Sequence, residues 1–520
     1  MSGSFQKACV VALSAVFGLC SPVVAATVYV DADAMGANNG TSWCDAYLSL
    51  QDALQGLDAG SDHEVRVAGG VYTPAPAGGS RITSFQLRNG VALLGGYAGC
   101  GSPNPDANDS SLYETVLSGD LNGDDNIPLF TDNSYHIVTG DGVDSTAVLQ
   151  GFTISGAFAD GSNPSDRGGG IFLFPNESSP VIRDCRFENN TVLAKGAAIY
   201  AFRGFATVEG CVFENNSATD GGAVYNLQGA MSYRRCSFRN NQASGLGGAM
   251  FHFSSSSLVS DCVFSSNAAV GGGAVQFVDS PTTMQNCQFF ANVASGQGLP
   301  SGGAILSQDS TPSILNGLFV GNSADQAGGA VHSLLGSETT IRNSTFVYNE
   351  AGSGGAVGNS SSATELFSCI LWANQDQQGG DSDQIVVFSG DMMVSHSCVQ
   401  SLPDTFVGNG NIGDDPLFGD TLGQDGQPAS GDEDYSLLPQ SPCIDSGQPA
   451  SADQLPATDL MGNDRQSCRE VDMGAFEFPD PPSCLTVSVP TVGAWGLAIL
   501  GLLILTVARL SIRRMPAGAR

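Results

Sequence analysis

Asparagine recurs at Asn190, Asn216, Asn241, Asn267, Asn292, Asn322, Asn349 and Asn374, at intervals of 26, 25, 26, 25, 30, 27 and 25 residues. Three other columns keep step with it. Phe187, Phe213, Phe238, Phe264, Phe289, Phe319 and Phe346 precede the Asn by three places, and the column ends in Leu371. Cys185, Cys211, Cys236, Cys262 and Cys287 precede the Phe by two, continuing as Gly317, Ser344 and Cys369. Three places earlier still stand Ile182, Val208, Tyr233, Val259, Met284, Ile314, Ile341 and Leu366. A glycine pair, as in "GGAVY", "GGAMF" and "GGAIL", follows most of the Asn residues. A fixed period of this length decides the architecture before any local propensity does.

The unit is built from strands. No 3.6-residue periodicity is present, and each glycine inside a helix would cost about 1 kcal/mol. Short apolar runs bounded by Gly, Asn and Ser read as strands and turns. Three brief strands per repeat make one coil of a parallel β-helix, whose coils stack about 4.8 Å apart so that like residues lie above like. In "CRFENN" the Cys and Phe are two apart and share the interior face. The Asn falls at a turn, where it tolerates a left-handed backbone and its amide reaches the amide one coil away. Free interchange of Cys with Gly and Ser at residues 317 and 344 marks a small buried side chain rather than a ligand or a bridge.

Outside this array the chain is less regular. Residues 27–150 offer strands with glycine corners and a short amphipathic helix around 45–57, which predicts an N-terminal cap and first coils. Regular repeats occupy 151–410, and about twelve or thirteen coils between 64 and 400 would form a rod of roughly 60 Å. Apolar columns stop in 411–478, which predicts a C-terminal cap over an edge that would otherwise recruit strands. Residues 479–488 are a linker. The expected fold is all-β: a right-handed, single-stranded parallel β-helix of the pectin lyase-like kind, capped at both ends.

The chain of 520 residues carries 67 Gly, 13% charged residues and a formal net charge of −32. Lys occurs only at Lys7 and Lys195, and no Lys or Arg lies between Asn343 and Asp464. Such a surface repels a phosphate backbone, so nucleic acid is excluded as a partner.

Both termini read as address labels. Lys7, an apolar run from Ala8 to Cys20 and a small-residue end at Ala25-Ala26 predict a secretory signal over 1–26. Cys20 follows Leu19, where a lipoprotein signal wants a small residue. At the other end, residues 492–508 are uncharged and followed by Arg509, Arg513 and Arg514, which predicts a membrane-spanning helix with its tail on the cytoplasmic side. The order of short motif, apolar helix and basic end in 489–520 resembles the IPTL-CTERM sorting signals at Val489, Pro490, Thr491, Trp495 and Gly496; Val492, Gly493 and Ala494 depart from that pattern. This resemblance implies a Gram-negative cell-surface protein, held first in the inner membrane, with a sorting enzyme as a partner.

Two further resemblances concern the body of the chain. The "GGAV" and "FxxN" repeats are similar to those of polymorphic outer membrane proteins, which implies a surface β-helix with an adhesive role. The segment "SPCIDSG…TDLMGNDR…VDMGAFEF" is similar to the choice-of-anchor Q domain at Ser441, Pro442, Ile444, Asp445, Gly447, Asp459, Gly462, Asn463, Arg465, Asp472, Gly474, Ala475 and Glu477. Cys443 and Cys468 depart from it.

Candidate chemistry is sparse. The β-helix scaffold also hosts lyases and hydrolases, which need paired acids on adjacent coils or a calcium site with a basic Arg or Lys. Of Asp184, Asp220, Asp261 and Asp325, no two share a column on neighbouring coils. Arg183, Arg234 and Arg342 do, with Glu209, Ser260 and Gln285 between them, as a solvated alternating face. His252 and His332 occupy different strand positions. Asp120, Asn122 and Asp124 in "GDLNGDD" alternate as calcium ligands do, although Thr131 stands where a bidentate Glu would close the loop, and a plain Asx-rich turn is the alternative. Apart from that calcium, no cofactor is expected. Zinc would want closely spaced cysteines, and stacked coils point their Cβ atoms the same way, which disfavours disulfides along the column. Cys44 with Cys100, and Cys443 with Cys468, are the expected pairs. The expected role is non-catalytic: adhesion, binding of extracellular polysaccharide or a neighbouring cell surface, or envelope structure. A polysaccharide lyase or glycoside hydrolase is the alternative.

Overall fold

The computed structural model describes residues 26–58, 62–125, 130–298, 301–377, 383–427, 432–448, 455–465 and 470–479. Residues 1–25 of the signal expected over 1–26, Cys468 and the C-terminal segment with Val489, Pro490, Thr491, Trp495 and Gly496 lie outside them. Among the described residues no helix is long and apolar enough to cross a membrane.

Each regular turn contains four short strands rather than three. In one turn these are Ile199–Phe202, Thr207–Glu209, Val212–Glu214 and Ser217–Ala218. The first two belong to one 22-stranded sheet, the third to a 12-stranded sheet and the fourth to a 9-stranded sheet, which we call the first, second and third sheets. Twelve strands in the second sheet correspond to about twelve turns, or about 55 Å of stack. Pairing between turns is parallel and in register, as in Phe187↔Phe213↔Phe238↔Phe264.

The sequence columns become interior walls. The phenyl rings from Phe187 to Phe346 stack face to face at 4.5–4.9 Å with interplanar angles of 1–7°. The Asn column is a continuous amide ladder. Each Nδ2 donates to the next Oδ1 at 2.8–3.1 Å, and each Oδ1 also accepts from the backbone N–H of the Asn one turn earlier. Gln384 ends the ladder: its Oε1 accepts from Asn374 Nδ2 at 2.8 Å, and its Nε2 donates to the Asn374 carbonyl. The left-handed residue is not the ladder Asn but the one before it. Asn189, Asn215, Asn240, Ser266, Ala291, Tyr348 and Ala373 all have φ between 49° and 56°. Ala and Tyr are strained there, and the ladder over-determines the turn.

The cysteine column is buried and its thiols are free. Burial pushes the Cys287 and Cys369 thiols up to about 12, so they are neutral at pH 7. Ser344 and Ser397 in this column accept from the backbone N–H one turn earlier at 3.0 Å, and Cys262 Sγ accepts from Cys236 N–H at 3.4 Å. A second ladder follows the first strand of the turn. The hydroxyls of Ser280, Ser310, Ser337 and Ser362 accept from the N–H of Ser255, Ser280, Ser310 and Ser337 at 3.0–3.3 Å.

Both glycines of the pair are required. Gly247 and its equivalents hold φ near +60°. A Cβ on Gly248 would meet the Gly273 carbonyl oxygen at 2.0 Å. At the N-terminal end, the helix Leu50–Gly56, capped by Ser49, buries Leu50, Ala53 and Leu54 against the first coil, and is shorter than its sequence suggested. Cys44 and Cys100 form a disulfide there, as expected. Among the described residues the last long strand, Ile385–Ser395, pairs only with Val357–Phe367, and it exposes Val387, Phe388 and Met393.

Residues beyond 411 do more than end the stack. After Ile412 pairs with the last turn, the chain folds back along the outer face of the second sheet. There Phe290, Leu318, Val320, Val347, Ile370 and Trp372 face Phe418, Tyr435, Leu437, Met473 and Phe476. Arg465, almost fully buried, donates to Glu477 at 2.5 Å, to Asn316 and to the Gly474 carbonyl. Asp459 accepts from the N–H groups of Glu477, Met461 and Asn463, and Asp472 from those of Asp445 and Phe478. Arg465, Glu477, Asp459 and Asp472 thus form a polar clasp onto the solenoid.

Candidate functional site

The outer face of the second sheet is divided. Its C-terminal half is apolar and covered, and its N-terminal half is polar and open. The outward positions flanking the buried Phe column run Thr153, Arg186, Val212, Ser237 in one lane and Ser155, Glu188, Glu214, Arg239 in the next. The strand period of two sends these residues outward because their neighbours must reach the core.

Glu188 and Glu214 stand in register on adjacent turns. Arg186 bridges them, with Nε on Glu188 and Nη2 on Glu214 at 2.5 Å, and Arg239 donates to Glu214 at 2.8 Å. The Glu188 carboxylate holds the Arg186 guanidinium above its ordinary range. The carboxylate pair is a correction to the expectation that no acids share a column on neighbouring turns. The aspartates of neighbouring turns fall out of register, while the Glu of "CRFENN" and "CVFENN" stands at one repeat position.

Two clefts flank this cluster. One of about 410 Å³ lies between Ser110, Glu114, Thr153, Asp184, Arg186 and Glu188. Another of about 540 Å³ lies between Asp120, Asp125, Phe130, Asn133, Ser155 and Asn189. Both clefts open beside the Glu188–Glu214–Arg239 lane, which runs from turn to turn, and this open face is the candidate groove.

The acidic loop sits at one end of that groove, with different members from those expected. Carboxylate oxygens of Asp120, Asp124 and Asp125 lie within 4.8 Å of one another. Asn122 does not join them, because its Oδ1 accepts from Gly78 N–H at 2.9 Å. The turn tightens because Asp120 accepts from the N–H groups of Gly123, Asp124 and Asp125, which brings Asp125 inward instead. Burial, reinforced by Asp120, Asp132 and Asp124, raises the Asp125 carboxyl above the usual range. Buried Asn133 donates to Asp125 at 2.9 Å, and Oδ1 of Asp124 and of Asp125 have no hydrogen-bond partner. Oxygen-rich and anionic, this donor set suits a hard cation such as calcium.

The remaining candidates are dispersed. Asp184 accepts from Gln150, Asp220 from Leu246 N–H, Asp261 from Asn286 and Asp325 from Gly296 N–H. Arg183, Arg234 and Arg342 share a column as expected, with Arg183 3.6 Å from Glu209 and Arg234 3.8 Å from Asp261. Such half-exposed pairs stabilise little. His252 and His332 lie in different columns, and burial lowers each to about 4. Cys443 is a buried free thiol.

Residues 120–247 and 228–376 match the family model described as "Right handed beta helix region". No curated protein matches the sequence. Among solved structures, pectate lyase Pel9A is 13% identical, with 88% of this chain and 97% of that chain covered at a TM-score of 0.42. The A-module of the Azotobacter vinelandii mannuronan C-5 epimerase AlgE4 is 15% identical, with 71% and 97% covered at a TM-score of 0.29. The body of the chain is a right-handed parallel β-solenoid carrying a β-helix repeat region.

Proposed function

We propose that the protein is an exported cell-surface solenoid that binds extended polysaccharide, without catalysis, in the groove on the open half of the second sheet. The observation that carries this reading is the Arg186–Glu188–Glu214–Arg239 cluster. It presents fixed charge-assisted donors and acceptors along a straight lane at one-turn intervals, the geometry for a chain of sugar hydroxyls. Calcium at Asp120, Asp124 and Asp125 would order the groove's end. On this reading the leader exports the chain, and the C-terminal segment anchors it in the inner membrane until a sorting enzyme passes it to the surface.

One observation favours a second reading. In-register Glu188 and Glu214 sit one turn apart, about 4.8 Å between backbones, near the carboxyl spacing of about 5–5.5 Å in retaining glycosidases. The experiment that decides is incubation of the purified protein with neutral and acidic polysaccharides, with and without calcium, measuring bound polymer and released reducing ends. Saturable binding without product, lost in Arg186→Gln, supports the binding reading. Product formation lost in Glu188→Gln replaces it with the enzymatic one.

A further inference from the structure

Cys398 and Cys443 differ from the stacked cysteines in one respect: they belong to different parts of the fold. Cys398 lies in the last strand of the second sheet, paired to Ile370, and its Sγ donates to the Asp414 carbonyl at 3.1 Å. Cys443 lies in the folded-back segment, where its carbonyl accepts from Met473 N–H at 3.0 Å. The next residue, Gly474, donates to the Ser368 carbonyl at 2.7 Å and packs on Ile370. Both cysteines are fully buried in one apolar cluster, and both are free thiols in this structure.

Thiols on successive coils leave the backbone in parallel, which sets their Cβ vectors wrongly for a disulfide. Cys398 and Cys443 share that cluster from separate segments, so the parallel stacking of successive coils does not constrain them. The Cys44–Cys100 disulfide already requires an oxidant while this chain folds. We propose that Cys398 and Cys443 form a second disulfide, which locks the folded-back segment onto the last turn. The oxidant is a dithiol–disulfide oxidoreductase. One thiolate attacks its disulfide, the second displaces the mixed disulfide, and the S–S bond forms as the enzyme leaves with both electrons and both protons as a dithiol. Burial closes the site afterwards, so oxidation precedes docking of the segment.

The experiment uses the full chain recovered from an oxidising compartment, with free thiols blocked in denaturant. Trypsin would leave both cysteines in one peptide, because no Lys or Arg lies between Asn343 and Asp464. Cleavage on the N-terminal side of aspartate, which includes Asp414 and Asp415, followed by mass spectrometry without reduction, is expected to give a linked pair two hydrogen masses lighter than its separate peptides. On a gel, fragments cut between 399 and 442 should stay joined until reductant is added, and should separate without it in Cys443→Ser. Alkylated Cys398 and Cys443, or Cys443 linked to Cys468, would overturn the proposal. The latter pair would leave the two fragments separable without reductant.

Discussion

Asn267→Ala tests whether the amide ladder, rather than burial alone, holds the turns in register. The side chain makes four hydrogen bonds in a fully buried site. Oδ1 accepts from Asn241 N–H at 3.0 Å and from Asn241 Nδ2 at 2.9 Å, while Nδ2 donates to the Phe238 carbonyl and to Asn292 Oδ1, both at 2.9 Å. A buried neutral bond contributes about 1 kcal/mol net, and a partner left without water costs more, so the substitution should destabilise by about 4 kcal/mol. Turns touch only their neighbours, which confines the loss to turns around residues 236–292. Hydrogen exchange is the assay, because a solenoid this long need not unfold in one step. Amides of Asn241, Val263 and Gln288 should exchange roughly 1,000-fold faster, while those near Val65 and Leu93 keep their rates. Asn267→Asp should be at least as damaging, since it sets a carboxylate against the Phe238 carbonyl. Ser266→Asn, at φ 54°, should be neutral or stabilising. A loss under about 1 kcal/mol in Asn267→Ala, or one spread evenly along the rod, would refute the ladder argument.

Gly248→Ala should give aggregated or protease-sensitive protein, because its Cβ would lie 2.0 Å from the Gly273 carbonyl oxygen on the next turn; limited proteolysis reads this out. Arg465→Met should release the folded-back segment by leaving the buried Glu477 without its partner, at a cost of about 3–5 kcal/mol, seen as faster cleavage between 412 and 465 with the repeats still protected. His252 and His332 titrate near 4 when folded and near 6.5 when unfolded, so the unfolded chain binds more protons between those values. Their contribution is present above pH 6.5 and lost as pH falls toward 4. At pH 5 each should cost about 2 kcal/mol, and His252→Phe should flatten that part of the thermal-stability profile.

The sequence made the interior legible because stacking turns one repeat into a wall. Phe and Asn columns appear at fixed intervals, and a side chain that must match its copies above and below leaves a periodic trace. The serine ladder at 255, 280, 310, 337 and 362 is just as regular in space, but serine is common in turns, so its column does not stand out from the background. The misplaced left-handed residue has a similar cause. Asn occupies both positions in the first three repeats, and Ser266, Ala291, Gly321, Tyr348 and Ala373 reveal that the first site varies while the second does not.

Outward positions obey no such rule, which is why the groove was the least legible part. An outer residue needs only to suit solvent or whatever covers it. One lane therefore passes from Glu188, Glu214 and Arg239 to Phe290, Val320, Val347 and Trp372 without disturbing the pairing beneath. That change of chemistry marks where the folded-back segment begins to cover the sheet. Covering one half with an apolar lane and a buried Arg465 clasp leaves the other half as the surface on which specificity can be written. Charge placed in the covered lane should detach the segment, whereas charge exchanged in the open lane should alter binding and leave the fold intact. Trp372→Glu and Glu214→Gln, compared by proteolysis and by polysaccharide retention, are expected to separate in that way. Equal loss of fold in both would mean that the open lane is structural too.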